Sequence, residues 1–324
     1  MKAAVKKLVT GAARRSPMLR RLAWSVVRET ATPHDLWAAS RSAYVAANRH
    51  REWSQLIMTA HARAVYETHK QLFLENALKS RFGRDVREAL LDRFEQVDAN
   101  VESGTTRTDG ILLAEALLSL SCGGDLVECG CYAGASTCKL SVIAKVLGRK
   151  LYVFDSFEGL PTVDEYNLTD YHARRSQDWV TDWAAGRYAA DIDLVRSNVA
   201  KYGDIDVCVF CKGWFSQVMF NVHLPAEIAF AFVDADIPSS VRECVRAIWP
   251  RLVEGGVFFS HDVAYIKVLQ ELHDQEMWTS LLREYPPIIF GAGFGHGEYS
   301  PHLGFMVKDA SATAAYIKSL TLEK

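Results

Sequence analysis

No uninterrupted apolar run in the 324 residues approaches the ~18 that a membrane-spanning helix needs, so no segment reads as a transmembrane helix. No charge sign dominates either. The 37 Lys and Arg stand against 39 Asp and Glu, a net charge of -2, which leaves no global basic field for holding nucleic acid. The seven cysteines form no paired framework. An odd, scattered set excludes a disulfide scaffold and fits reduced thiols in the cytoplasm. Internal repeats and low-complexity segments are also missing. What remains is an ordinary globular composition, 49% hydrophobic and 23% charged, long enough for one large domain with an appendage or for two domains.

Charge is uneven along the chain. Residues 1–28 carry Lys2, Lys6, Lys7, Arg14, Arg15, Arg20, Arg21 and Arg28 and no acid, with apolar residues at helical spacing and Pro17 between two stretches. Two readings of this basic arm stand: a membrane-surface amphipathic helix, or a helical arm packed on an acidic subunit face, of which the second is the plainer. A signal peptide would need a continuous apolar stretch, and there is none. Residues 35–100 show only helical signals, with one apolar face at Val86, Leu90, Leu91 and Phe94, and a further helix is expected over 109–120. These features divide the chain into a helical N-terminal extension at 1–104 and an α/β domain at 105–324. In the latter, β-rich runs at 126–129, 151–154, 207–210, 228–233, 257–259, 288–290 and 303–307 alternate with helical segments. That order predicts a mostly parallel sheet of seven strands with helices on both faces, the last two strands pairing as an edge hairpin. The long interval at 156–206 predicts helices of its own, one over 192–201, and a wall or lid over a site.

Four segments can carry chemistry. Glu128-Cys129-Gly130-Cys131-Tyr132-Ala133-Gly134 follows the first strand and opens a helix. Its glycines let backbone pass close to a ligand, and its acid suits an ammonium better than a pyrophosphate. A bare strand-to-helix turn explains the same residues. Asp155 closes the second strand where open α/β folds grip a ribose diol, although a turn cap would also place an acid there. Lys212-Gly213-Trp214 follows the third strand, where an aromatic can stack on adenine or pack in the core. Asp234-Ala235-Asp236 and His261-Asp262 end the fourth and fifth strands, so their carboxylates meet in one crevice and call for a cation or proton between them. Cys208 and Cys211 have metal-like spacing, but within a strand they point to opposite faces. His296 and His302 read as structural or solvent-facing.

Taken together, "FDSFEGLP" at 154–161, "KGWF" at 212–215, the acid-x-Gly turn at 126–134 and the Asp-x-Asp resemble the macrocin O-methyltransferase family, over roughly 105–308. Its members transfer a methyl group from S-adenosylmethionine to sugar hydroxyls of natural products. The resemblance implies a Rossmann-like class I methyltransferase sheet with the seventh strand inserted antiparallel beside the sixth. It implies that Glu128, Gly130 and Gly134 hold the methionine part of the cofactor, Asp155 the ribose, and Lys212, Gly213 and Trp214 the region near adenine. It also implies a divalent ion, Mg2+ or Mn2+, on Asp234 and Asp262, a glycosylated small-molecule acceptor, a cytoplasmic enzyme and a homo-oligomer.

The chain departs from the family at His261, where an Asp is expected, and at Ala235, where the family has Gly. Magnesium prefers oxygen ligands, whereas manganese, iron and zinc accept nitrogen. Three expectations follow: a metal site of altered selectivity that includes His261, a metal-free enzyme with His261 as base, or a cofactor-binding protein without catalysis. Asp234 and His261 are the catalytic candidates. The rival enzyme reading is a glycosyltransferase that clamps a nucleotide sugar through the Asp-x-Asp; the rival from another class is a non-catalytic scaffold.

Overall fold

The computed structural model describes residues 51–162, 185–221, 224–263, 265–290 and 303–310. The basic arm at 1–28, much of the expected lid, and His296 and His302 lie outside them. Described residues from 60 onward belong to one compact unit.

Among the described residues, three α-helices precede the sheet: α1 (Arg51–Glu75), α2 (Arg84–Asn100) and α3 (Arg107–Ser119). Helix α3 starts where a capping box dictates. The Thr106 side chain accepts from the Asp109 N–H, and the Asp109 carboxylate accepts from the Thr106 N–H, which satisfies two otherwise orphaned donors. Then strands and helices alternate: β1 (Asp125–Cys129), α4 (Ala135–Leu147), β2 (Leu151–Asp155), α5 (Ile192–Tyr202), β3 (Cys208–Lys212), α6 (Phe215–Asn221), β4 (Ile228–Val233), α7 (Pro238–Ile248), β5 (Leu252–Ser260), α8 (Ile266–Leu272) and β6 (Gly304–Val307). Strand β4 is buried at every position, which is why it reads as a continuous apolar run and lies in the middle of the sheet. Pro238 at the first turn of α7 lacks only an N–H that the helix would leave unbonded.

The sheet order is β3-β2-β1-β4-β5-β6, parallel except for β6, which runs antiparallel to β5. Strand periodicity sorts the sheet's side chains into two cores. Leu126, Val153, Phe230 and Phe232 meet Leu90 of α2, Ile111 of α3, Leu140 of α4 and Val195 of α5 on one face. Val127, Cys129, Ala231 and Val233 meet Val218 of α6, Val241 of α7 and Val268 of α8 on the other. Helices α2 and α3, which flank the expected boundary at 104, therefore contribute to one core.

Two expectations change. Among the described residues the sheet has six strands, and the run at 288–290 contributes a single antiparallel bridge, Phe290 to Phe305. The pairing has the sense expected of a sixth and seventh strand, but Pro286 and Pro287 supply no N–H to a ladder, so it does not extend backward. Second, the helix expected over 109–120 begins at Arg107. Cys208 packs with one core and Cys211 with the other, as alternation requires, and all seven cysteines are free thiols.

Candidate active site

The carboxyl ends of β1, β2, β4 and β5 surround a cleft of about 320 Å3, at the switch point where the chain leaves β1 in both directions. Its floor is a set of tight turns. Gly130 has φ +83°, and a Cβ there would stand 1.9 Å from the Asp234 carbonyl oxygen, so only glycine lets the β1 turn lie against the β4 turn. Gly134, at φ +88°, caps α4 and lies against Val195. Asp155 straps two turns: its Oδ2 accepts from the Cys131 N–H at 2.7 Å and its Oδ1 from the Phe157 N–H at 2.7 Å. Tyr132, Phe157 and Asp236 have φ of +46°, +57° and +62°, backbone strain gathered at the site.

Glu128 is fully buried behind this floor. Its Oε2 accepts from the Thr137 hydroxyl at 2.6 Å, and its Oε1 has no hydrogen-bonding partner among the described residues. Burial pushes its pKa up to about 8, against the lowering effect of the Ser136 and Thr137 hydroxyls.

On the opposite side, ligand atoms of Asp234, His261 and Asp262 lie within 4.8 Å of one another. Asp262 Oδ2 accepts from the N–H groups of Ala235 at 3.1 Å and Asp236 at 2.9 Å, which holds Asp236 in its strained conformation. His261 Nδ1 lies 3.1 Å from Asp234 Oδ1, and Nε2 lies 3.4 Å from Asp109 Oδ2. Burial disfavours the imidazolium, but Asp234 and Asp109 together outweigh it and hold the His261 pKa well above its usual value. Burial beside Asp234 pushes Asp262 up to about 7, against its two N–H donors and His261. Burial near Asp262 and Asp234 likewise raises Asp236. Acids driven this way are relieved by a cation. Two carboxylates and an imidazole with this spread fit one divalent ion after small contraction, since ligands across an ion with bonds of ~2.1–2.4 Å are ~4.2–4.8 Å apart.

Among the expected residues, Gly130, Asp155, Gly213, Trp214, Asp234, His261 and Asp262 line the cleft. Glu128, Gly134 and Lys212 do not: Glu128 lies beneath Thr137, Gly134 packs on Val195, and Lys212 is exposed at the end of β3. The structure adds residues the sequence reading passed over. The loop at 102–105 is a cleft wall, and Tyr188 and Tyr265 line it too. Asp109 approaches His261 from the first turn of α3. The Thr-x-x-Asp spacing reveals it as a cap, but nothing local reveals the second contact.

The description of the matching family model is macrocin O-methyltransferase (TylF), and the match runs over residues 36–277, more than half of the chain. The chain belongs to this family. The match begins well before residue 105, so most of the helical front section lies within the family's own extent, contrary to the expectation that the likeness starts near 105. A relative from Streptomyces olivaceus, "8-demethyl-8-(2,3-dimethoxy-alpha-L-rhamnosyl)-tetracenomycin-C 4'-O-methyltransferase", is 29% identical over 54% of this chain and 67% of its own length. A second, demethyldecarbamoylnovobiocin O-methyltransferase from Streptomyces niveus, is 26% identical over 51% of this chain and 63% of its own. The chain thus spans about two thirds of the length of these relatives. The solved O-methyltransferase NovP aligns with a TM-score of 0.47 at 19% identity, covering 60% of this chain and 76% of that one. The protein is an S-adenosylmethionine-dependent O-methyltransferase of the macrocin family, and the glycosyltransferase and scaffold readings fall with that. Among the described residues no helix is long and apolar enough to cross a membrane.

Proposed function

We propose that the protein methylates a sugar hydroxyl of a glycosylated natural product, assisted by a divalent ion. The observation that carries this reading is the gathering of Asp234, His261 and Asp262 in the same cleft as Gly130, Asp155 and Trp214. The names of the two relatives, one specifying a rhamnosyl-tetracenomycin and the other a novobiocin precursor, support the acceptor class.

When bound, S-adenosylmethionine supplies a methyl group on a sulfonium, already activated for in-line displacement by an oxygen. Gly130 gives the turn its close approach, and Glu128, buried beneath the Thr137 hydroxyl, braces the start of α4 from behind. Asp155, with one N–H on each oxygen, keeps further lone pairs for a ribose diol. Gly213 and Trp214 wall the adenine end, with Lys212 at the rim. A divalent ion on Asp234, His261 and Asp262 would lower the pKa of a sugar hydroxyl, a poor nucleophile when neutral. Asp234 Oδ1 and His261 Nδ1 lie side by side, 3.1 Å apart, and the strapped Asp262 fixes the backbone of the Asp-x-Asp. One observation favours a second reading: His261 lies between two carboxylates, so a metal-free site in which it handles the hydroxyl proton is the alternative.

Calorimetric titration with S-adenosylhomocysteine after chelation, and again with Mg2+ or Mn2+, tests both, followed by turnover on rhamnosylated acceptors. Binding in all three conditions with turnover only when metal is present is expected. Full turnover after chelation selects the metal-free reading, and absence of methylated sugar on any glycoside overturns the acceptor class. The wider reading is a cytoplasmic homo-oligomer, supported by seven free thiols and by the family resemblance. Light scattering tests the assembly. Lipid binding before and after removal of residues 1–28 tests the membrane-arm alternative.

A further inference from the structure

We propose that Asp109 is a positioning residue for the reaction: it takes the Nε2–H of His261 and thereby makes Nδ1 the atom that His261 presents, with Asp234 and Asp262, to a divalent ion that accepts nitrogen. The proposal rests on the metal-assisted reading above and names the feature that sets its selectivity.

Asp109 is fully buried. As a helix cap it needs one oxygen, and Oδ2 serves that purpose by accepting from the Thr106 N–H at 2.7 Å and the Thr106 hydroxyl at 2.8 Å. Capping does not account for the second oxygen. Oδ1 is buried with no hydrogen-bonding partner among the described residues, an arrangement native proteins avoid unless the group has other work. The neighbour that gives it some is His261, whose Nε2 lies 3.4 Å from Oδ2, within a small swing of a hydrogen bond to this carboxylate. The imidazole then has a carboxylate at each nitrogen, and the two are not equivalent. Asp234 belongs to the close-set donor group with Asp262, whereas Asp109 does not. Phe232 flanks the ring edge-on, with centroids 6.2 Å apart. A carboxylate on the far nitrogen is the usual way to fix the tautomer of a metal-ligating histidine and to strengthen it as a donor. It also accounts for the histidine itself: with a nitrogen fixed as ligand, manganese is favoured over magnesium.

The test is calorimetric titration of the chelated full chain with Mn2+ and Mg2+ in the presence of S-adenosylhomocysteine. Asp109→Asn keeps an oxygen for the cap but sets an amide N–H against Nε2, which drives the ring proton to Nδ1. It is expected to weaken Mn2+ binding ~10–100-fold. Thr106→Ala removes the capping hydroxyl and keeps the carboxylate, so Tm falls while Mn2+ affinity stays within ~2-fold. In a His261→Asp background, Asp109→Asn should change Mn2+ affinity less than ~2-fold, because no ring remains to orient. An unchanged affinity in Asp109→Asn, or an equal loss with and without His261, overturns the proposal. If Asp109→Asn does not fold, Asp109→Glu, which displaces the carboxylate, takes its place with the same expected weakening and the same overturning result. A wild type that binds S-adenosylhomocysteine but takes up no ion overturns the metal reading, and this proposal with it. Wild-type uptake with an indifferent Asp109 overturns this proposal alone.

Discussion

Asp155 closes β2 and Asp262 follows β5 by two residues, and each accepts two backbone N–H groups, but they distribute them differently. Asp155 takes one on each oxygen, from Cys131 and Phe157, and so ties the β1 turn to the β2 turn. Asp262 takes both on Oδ2, from Ala235 and Asp236, and leaves Oδ1 outside that pair of bonds. The first is a strap with its charge spread over fixed donors. The second is half a strap and half a ligand, set beside Asp234 and His261. One cleft therefore has a half whose acid is tied to backbone donors, which we propose for the ribose diol, and a half that concentrates negative charge. Methyl transfer to a weakly nucleophilic oxygen needs both.

The largest expected effect comes from removing the charge of the second half. Asp234→Ala loses both a proposed metal ligand and the carboxylate beside His261 Nδ1, and kcat should fall ~10²–10⁴-fold while S-adenosylhomocysteine affinity, read by calorimetry, is largely kept. Full turnover would dissolve the distinction between the halves. Gly130→Ala strikes the seam instead. With φ +83° and the Asp234 carbonyl 1.9 Å from the new Cβ, the two turns must separate. A stability loss of about 3 kcal/mol is expected in urea unfolding, with both cofactor and metal binding impaired. Gly148, also at positive φ but with nothing within 4 Å of its added Cβ, supplies the control: Gly148→Ala should cost only about 1 kcal/mol.

A direct test of the comparison pairs Asp155→Ala with Asp262→Ala. The former should weaken S-adenosylhomocysteine binding ~10–100-fold and spare Mn2+ affinity, and the latter should do the reverse, each figure being that of a hydrogen bond to a charged group. Parallel losses in both variants would mean that the straps hold one common scaffold and that the halves are not functionally separate.

The acids at strand ends are legible in the sequence because a parallel sheet sends every carboxyl end to the same edge. Once the runs at 228–233 and 257–259 are read as neighbours, Asp234 and Asp262 meet, and Asp155 follows from the end of the run at 151–154. Three things are not legible, for physical reasons. Glu128 and Thr137 lie nine positions apart, and no periodicity says that the acid is buried under the hydroxyl and not open to the cleft. The contact of Asp109 with His261 joins a helix cap to the end of β5 across the molecule, and capping alone explains the residue locally. Lys212 shares its "KGWF" box with two cleft residues, yet it is exposed at the rim while Gly213 and Trp214 line the cleft.

The last effect concerns pH and separates the halves by titration. Glu128 has its pKa raised to about 8 by burial, from an unfolded value near ~4.3. An acid shifted upward favours the folded state most when it is protonated in both states, so its contribution is fully present below ~4.3 and is lost as pH rises toward 8. In that window the folded chain binds more protons than the unfolded one, and stability falls with pH by up to ~1.4 kcal/mol per unit from this group. Glu128→Gln has nothing to titrate and should flatten the slope by that amount in urea unfolding at about pH 5.5 and about pH 7.5. Asp262, at about 7, Asp236 and His261 on the other side are raised too and contribute to the slope that remains in the same direction. An unchanged slope in Glu128→Gln would mean that the buried acid stays charged near neutrality, and the electrostatic load would then lie with the Asp234–His261–Asp262 side alone.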